Sequence, residues 1–396
     1  MSFRILWIGI FALAFLCVTL FFALYPLALL IACGLRRRHR PHRELTAAAE
    51  FPFVSLIIVV RNGEHLIEAK LRNAFELDYP AEKYEVIVFS DGSTDGTNDI
   101  VQSFHDPRLS FLKTETHRGK MHGLNRAVES SRGEILVFSD ADALLKADAI
   151  KKLARHYCDP QIGGVSGRNV VRQAGNELRS AQASYITFDN LIKRMESSVG
   201  SLTSNNGKLH SLRRGLYRTI KPGACDDLHC CLSVVLQRKR FVFDPAAQAM
   251  IPAPSRTPGH ELTRRRRIVC RSLIAMLAHW RLFNPLSFGL YGLRLAINKI
   301  LRRLLPVSLL LLLASTIALW NLHPIFQLLV GAQALFYAAA AIYPLLPRAL
   351  RARLPFIKAP QAAFYFCIGN IGMMLGLWDF LRGRRFEMWE PRTARD

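Results

Sequence analysis

Between residues 51 and about 290 the hydrophobic positions fall into short blocks. "FVSLIIVV" (53–60), "YEVIVFS" (84–90), "RLSFLKT" (108–114) and "GEILVFSD" (133–140) are apolar, β-branched runs that suit strands covered on both faces. "HLIEAKLRNAFEL" (65–77), "TDGTNDIVQSF" (94–104), "KMHGLNRAVESS" (120–131) and "ADAIKKLARHYC" (147–158) read as the helices between and after them. Strands alternating with helices predict an α/β layer with a mainly parallel sheet, whose ligands bind outside the carboxyl ends of the strands. The following stretch is less regular. "SYITFDNLIKRMESSVGS" (184–201) reads as a helix, and "CDDLHCCLSVVLQRKRFVFDPAA" (225–247) ends in a strand that the turn "DP" closes.

The two ends of the chain carry a different pattern. Residues 5–35 hold no charge and exceed the length needed to cross about 30 Å of hydrocarbon. A cleaved signal peptide would have a shorter apolar core and a small-residue cleavage site, where this chain has "RRRHR", so an uncleaved anchor is expected. Three further apolar stretches follow at about 304–322, 325–347 and 356–380. The expected organisation is a transmembrane helix at 1–35, a basic linker at 36–50 and a catalytic domain at 51–283. An interfacial amphipathic segment at 284–303, about three transmembrane helices at 304–381 and a basic tail at 382–396 complete it.

The net charge of +23 sits beside these spans: "RRRHRPHR" (36–43), "RRRR" (264–267), "RR" (302–303) and "RALRAR" (348–353). Basic residues flanking spans mark the cytoplasmic side and favour anionic lipid. No nucleic-acid motif accompanies them, so a nucleic-acid partner is not expected. Four spans with the catalytic domain inside would put the tail outside, yet "RGRRFEMWEPRTAR" is basic. Either the charge tendency is overridden or a late apolar stretch, such as 356–380 with its glycines, does not fully cross. The eight cysteines form no disulfide framework. The cluster Cys225, His229, Cys230 and Cys231 lacks the paired spacing of a zinc site and reads as small buried thiols.

The chemistry lies at the strand ends. "SDADA" puts Asp140 and Asp142 two residues apart just after a strand, where they can reach a nucleotide's ribose and a divalent ion on its phosphates. Alone, such a turn is more often an Asp-rich helix cap. In order with "VIVFSDGSTDGT" (86–97) and "HRGKMHGLN" (117–125), it resembles the membrane-bound glycosyltransferase family 2, across about residues 1–390. That resemblance implies a GT-A domain, the nucleotide-diphospho-sugar transferase fold, with transmembrane helices at both ends. It implies that Arg61, Glu64, Asp91, Lys120 and Asp140 bind the nucleotide sugar and that Asp142 holds Mg²⁺ or Mn²⁺. "CDDLHC" (225–230) is similar to the family's acceptor-side motif, making Asp227 the general base and putting Asp226 at the Glu position. "ELTRRRRIVCRS" (261–272) lies where the family carries Q-x-x-R-W. Arg264 takes the Gln position, Arg267 keeps the Arg, and Ile268 replaces the Trp on which an acceptor sugar would stack.

The resemblance implies an inner-membrane, multi-pass enzyme with a cytoplasmic catalytic domain. It would move a sugar, with inversion, from a nucleotide-diphosphate sugar to a lipid-linked or glycan acceptor, and a uridine diphosphate sugar is the expected donor. Membrane lipids, and accessory subunits of an export system, are the further expected partners. Two alternatives stay open: a processive polysaccharide synthase of the same family, and a catalytically inactive membrane-anchored regulatory subunit.

Overall fold

The run at 53–60 is strand β1 (Val54–Val60), buried along its whole length. The computed structural model describes residues 2–35, 51–171, 177–252, 257–347 and 357–386. The linker 36–50, the basic run 348–353 and residues 387–396 of the tail lie outside the described residues. After β1 come α3 (Glu64–Phe75), β2 (Tyr84–Asp91), α4 (Thr97–Gln102), β3 (Leu109–Thr114), α5 (Lys120–Ser130) and β4 (Ile135–Phe138). Strands β3, β2, β1 and β4 pair side by side and all parallel, as the apolar blocks predict. Their carboxyl ends therefore share one edge, and Asp91 and the 139–143 turn open onto it.

The sheet continues through strands that the sequence shows poorly. β5 (Leu144–Leu145), β6 (Ile162–Val171), β7 (His210–Arg213) and β8 (Arg240–Ile251) extend it in the order β4-β7-β6-β8-β5, partly antiparallel. The turn "DP" does not close the last strand. The register passes from Ser166 opposite Phe243 to Arg168 opposite Gln248, so β8 bulges at Asp244–Pro245 and pairs again. Proline donates no N–H, which a bulge tolerates. The buried Asp244 carboxylate accepts from Arg155, His156 and the Ala246 N–H, which satisfies the bulged chain.

Between these strands, α6 (Ala149–Ala154), α7 (Glu177–Val199) and α8 (Asp226–Leu236) cover the sheet, and α9 (Pro258–Ala278) runs across the catalytic edge. At the start of the chain, α1 (Ser2–Thr19) continues through a π-helical turn at Leu20–Leu24 into α2 (Tyr25–Leu35). Late in the chain, α10 (Pro285–Phe288), α11 (Leu290–Leu295) and a π-helical turn at Ala296–Leu301 lead into α12 (Arg302–Ala318). α13 (Pro324–Ile342) and α14 (Lys358–Leu381) follow. Among the described residues, four helical stretches are long and apolar enough to cross a membrane: Phe3–Leu35, Leu290–Ala318, Pro324–Leu345 and Lys358–Leu381.

One glycine governs how α5 sits on the sheet. A Cβ on Gly123 would lie 2.8 Å from Phe89 Cδ1 and 2.9 Å from Val59 Cγ1, both in buried strands. The helix can approach this closely only without a side chain there, and that approach aims Lys120 at the sheet's edge. Gly123→Val should therefore lower unfolding stability of the detergent-solubilised protein by about 1–3 kcal/mol, the usual cost of overpacking. A thermal melt unchanged from wild type would show that α5 can ride outward freely.

Candidate active site

The carboxyl ends of β1 and β4, the N-terminus of α8 and one face of α9 enclose a cavity of about 520 Å³. Its wall includes Arg61, Lys120, Asp140, Asp142, Asp226, Asp227, Arg264, Arg267 and Ile268. The structure thus brings together most of the residues that the motifs single out, from segments up to about 200 residues apart in sequence.

Lys120 joins the two halves. Its ammonium donates to Asp140 Oδ1 at 2.8 Å and to Asp226 Oδ2 at 2.6 Å. Burial pulls this lysine down, but the two carboxylates outweigh it and hold the amine above the ordinary lysine range. The same pairing, with Lys208, holds Asp140 well below the usual carboxylate range against its own burial. Asp226 is lowered too: burial works against it, and Lys120 and Arg271 prevail.

Lys208, which no motif marks, donates to Asp142 Oδ1 at 2.6 Å and lies 3.0 Å from Asp140 Oδ2. The two carboxylates of the turn therefore converge on one cation, and as hard oxygen donors they suit Mg²⁺ or Mn²⁺. A second group, Cys225, Asp226 and Asp227, also lies close together. It suits a hard divalent ion less well, because one of its three groups is a thiol. Burial and the neighbouring carboxylates push the Cys225 thiol well above its ordinary value, so it stays protonated, and it contacts Asp227 Oδ1.

Asp226 and Asp227 open the first turn of α8, where the helix dipole and unsatisfied N–H groups stabilise negative charge. Asp227 Oδ1 accepts from the Leu228 N–H at 2.6 Å, and no hydrogen bond to Oδ2 is found among the described residues. On α9, Arg264 and Arg265 both pair with the buried Glu261. Burial lowers the pKa of Arg267, and the adjacent Arg271 and Arg264 lower it further. Such a crowd of guanidinium groups is relieved by an anion.

Asp91 and Glu64 stand apart from the cavity wall. The Asp91 carboxylate is fully buried and accepts from the N–H groups of Arg118 and Gly119 at 2.8 and 2.9 Å, and its Oδ2 lies 2.8 Å from His117 Nδ1. It ties down the loop that starts α5 and so aims Lys120. At Gly92 (φ +63°) a Cβ would meet His117 N at 2.5 Å, so glycine is what lets that loop approach. Glu64 laces the β1 loop to the β2 loop by accepting from the Gly96 N–H at 2.9 Å.

Two further residues lie beneath the site without a sequence signal. Buried His210 stacks on Phe138 at 4.9 Å, and neither ring nitrogen has a hydrogen-bond partner among the described residues. Lys70, fully buried on α3, donates to Ser139 Oγ at 2.7 Å and to the Ala143 carbonyl at 2.6 Å, bracing the Asp140–Asp142 turn. In sequence it reads only as a helix residue.

Comparison with known proteins bears on the fold and the family of the domain. Residues 55–220 match the family described as Glycosyl transferase family 2. A poly-beta-1,6-N-acetyl-D-glucosamine synthase of Staphylococcus epidermidis is 28% identical over 159 residues, 39% of this chain and 38% of that protein. A beta-monoglucosyldiacylglycerol synthase of Nostoc is 26% identical over 178 residues, 44% of this chain and 38% of that protein. The chain thus spans well under two thirds of the length of these relatives. A mannosyltransferase from Pyrobaculum calidifontis, solved with GDP-Man and Mn²⁺, superposes with a TM-score of 0.68 at 23% identity, over 95% of this chain and 100% of that one. The chain therefore carries a glycosyltransferase family 2 domain, and its fold is that of the GT-A glycosyltransferases.

Burial depresses the Lys70 amine to about 7 from an ordinary 10.5, although Asp140 and Asp142 pull it upward. Between these two values the unfolded chain binds the proton and the folded chain does not, so this group makes stability rise with pH. Lys70→Met should flatten that rise between about pH 7 and 10.5, read from thermal melts of the two proteins at matched pH. Parallel curves would show that Lys70 keeps its proton when folded.

Proposed function

We propose that this protein is an inverting glycosyltransferase that moves a sugar from a nucleotide-diphosphate sugar to an acceptor hydroxyl. The observation that carries this reading is one cavity holding the Asp140–Asp142 turn, an arginine-rich helix face and a carboxylate at a helix N-terminus. Arg61, Lys120 and Asp140 bind the donor, and a uridine diphosphate sugar is the donor this reading favours. Asp140 and Asp142 would hold Mg²⁺ or Mn²⁺, which when bound supplies charge neutralisation to the departing diphosphate. Asp226, Arg264 and Arg267 complete the acceptor and diphosphate side. Asp91 and Glu64 support the donor side by positioning its loops.

An acceptor hydroxyl ionises far above pH 7, so a base must take its proton as it attacks the anomeric carbon. Asp226 is tied to Lys120, whereas Asp227 keeps an oxygen for that proton. Attack opposite the leaving diphosphate inverts the anomeric centre. Ile268 lines the cavity where an aromatic ring would grip a growing chain, which favours addition of one or a few sugars over long polymer. Asp227→Asn should cut transfer about 10²–10⁴-fold with nucleotide affinity nearly unchanged. A larger loss in Asp226→Asn than in Asp227→Asn, measured by nucleotide release with acceptor present, would reverse the two roles.

The helix contacts support one reading of the membrane placement. Arg302 and Arg303 open α12 at the cavity, and α12 and α13 form an antiparallel pair, with Gln333 bonded to Thr316 at 3.0 Å. The far end of α13 thus returns to the catalytic side, where Tyr343 packs on Phe364 of α14 at 5.4 Å. The other end of α14 is on that side as well: Asp379 pairs with Arg266, and the Arg384 carbonyl accepts from Cys270 at 3.0 Å. With both ends on one side, α14 lies along the membrane face rather than across it. Ile371, Leu375, Trp378 and Leu381, all exposed, form its lipid-facing stripe. On this reading the chain crosses three times, and residues 382–386 lie on the catalytic side, which would be the cytoplasmic side where nucleotide sugars are made. An impermeant thiol reagent on intact cells should label Asn321→Cys, at the α12–α13 turn, and spare Arg385→Cys. Equal labelling of both would make α14 a fourth span.

A further inference from the structure

A second cavity, about 440 Å³, lies where the catalytic domain meets the membrane helices. Its wall is largely apolar and aromatic: Phe21 and Tyr25 from the first span, Phe188 from α7, and Tyr365, Phe366 and Gly369 from α14. It adjoins the catalytic cavity directly, because Asp189, Arg265, Arg302 and Met373 line both. An apolar chamber at membrane level, opening through two arginines onto a transferase site, fits an amphiphile with its head toward Asp227.

The charge balance narrows the head group. Among the described residues, eleven lysines and arginines but only five carboxylates line the catalytic cavity. Lys193, Lys299, Arg302 and Arg303 belong to α7, the π-helical turn and α12, on the membrane side of the site and away from the Asp140–Asp142 turn, and of the five carboxylates Asp189, which pairs with Lys193 and Arg302, stands with them. Placed there, they complement an anion that arrives from the membrane rather than the donor's diphosphate.

Gly369 faces the chamber. Its neighbours Gly372 and Gly376 are pressed against α9, where a Cβ would meet Arg265 Cβ at 2.8 Å and the Arg266 carbonyl at 2.6 Å. A Cβ on Gly369 would meet nothing within 4 Å. A side chain at 369 would therefore project into open space along the cavity.

We propose that this second cavity binds the hydrocarbon chain of the acceptor, and that the acceptor is a single-chain lipid whose phosphate is held at Arg265 and Arg302 and whose head presents a hydroxyl to Asp227. The proposal rests on the reading of the first cavity as a glycosyl-transfer site. It places the acceptor's chain in the leaflet on the catalytic side, beside the apolar stripe of α14.

The test uses the full chain in phosphatidylcholine vesicles and a photoreactive polyprenyl phosphate. Crosslinks should fall on the 357–386 segment. Excess unlabelled polyprenyl phosphate should compete them away, and equal phosphatidylglycerol, diacylglycerol or inorganic phosphate should not. Gly369→Trp should cut labelling at least tenfold. Gly331→Trp, on α13 where an added Cβ also meets nothing, should leave it unchanged. Nucleotide affinity on each sample reports folding, and Gly369→Leu replaces the larger variant if that affinity is lost. Competition by phosphatidylglycerol would mean bulk lipid, competition by diacylglycerol would mean a neutral head, and wild-type labelling of a folded Gly369 variant would mean the chain lies elsewhere. Each of these overturns the proposal. A wild type that takes the lipid phosphate specifically but no nucleotide upholds the lipid site and overturns the transferase reading alone.

Discussion

One buried ammonium, that of Lys120, holds the site together. Asp140 sits at the end of the parallel half of the sheet, and Asp226 opens a helix more than eighty residues later; both bind the same amine. Two carboxylates brought this close would repel and resist ionisation without a cation between them. Breaking such a pair strands a buried charge, which costs far more than a surface ion pair is worth. The rest of the architecture serves this contact. Gly123 lets α5 approach the sheet, Asp91 anchors the loop before it, and Lys70 and Lys208 brace the turn that carries Asp140.

The cavity is built with more positive charge than its own carboxylates balance. Arg264, Arg267 and Arg271 repeat along one face of α9, and burial brings their charges to bear on each other. A protein bears such crowding at a cost in stability, and the cost falls when a phosphate-bearing ligand enters. Tight cationic packing around an acidic turn and a helix N-terminus is what phosphate-ester chemistry needs: charge stabilisation already in place when the leaving group departs.

Membrane and catalysis are not separate modules here. α9 supplies arginines to the cavity and a packing surface to α14, and α12 begins at the cavity within a stretch long and apolar enough to cross a membrane. The glycines at 372 and 376 allow α14 to lie against α9 at backbone distance, so the membrane face and the active site share one wall.

Much of this was legible in the chain itself. Continuous apolar runs bounded by acidic turns determined β1, β2 and β4 and placed Asp140 and Asp142 at strand ends, because a strand buried on both faces needs no alternation and its exit is where polar residues begin. Apolar length marked the helices able to cross a membrane. In the second half of the sheet only the start of β8 was legible. β6 contains glycines, β8 bulges through a proline, and both exist only because neighbouring strands supply hydrogen bonds. Lys208, Lys70 and His210 carry no local signal, since a lysine in a helix or a polar turn reads as solvated until the fold buries it. The direction of α14 was undecided for the same reason. Length and hydropathy measure whether a helix can cross, whereas whether it does depends on where its two ends are held, and the contacts of α14 with α13 and α9 that bear on this are long-range.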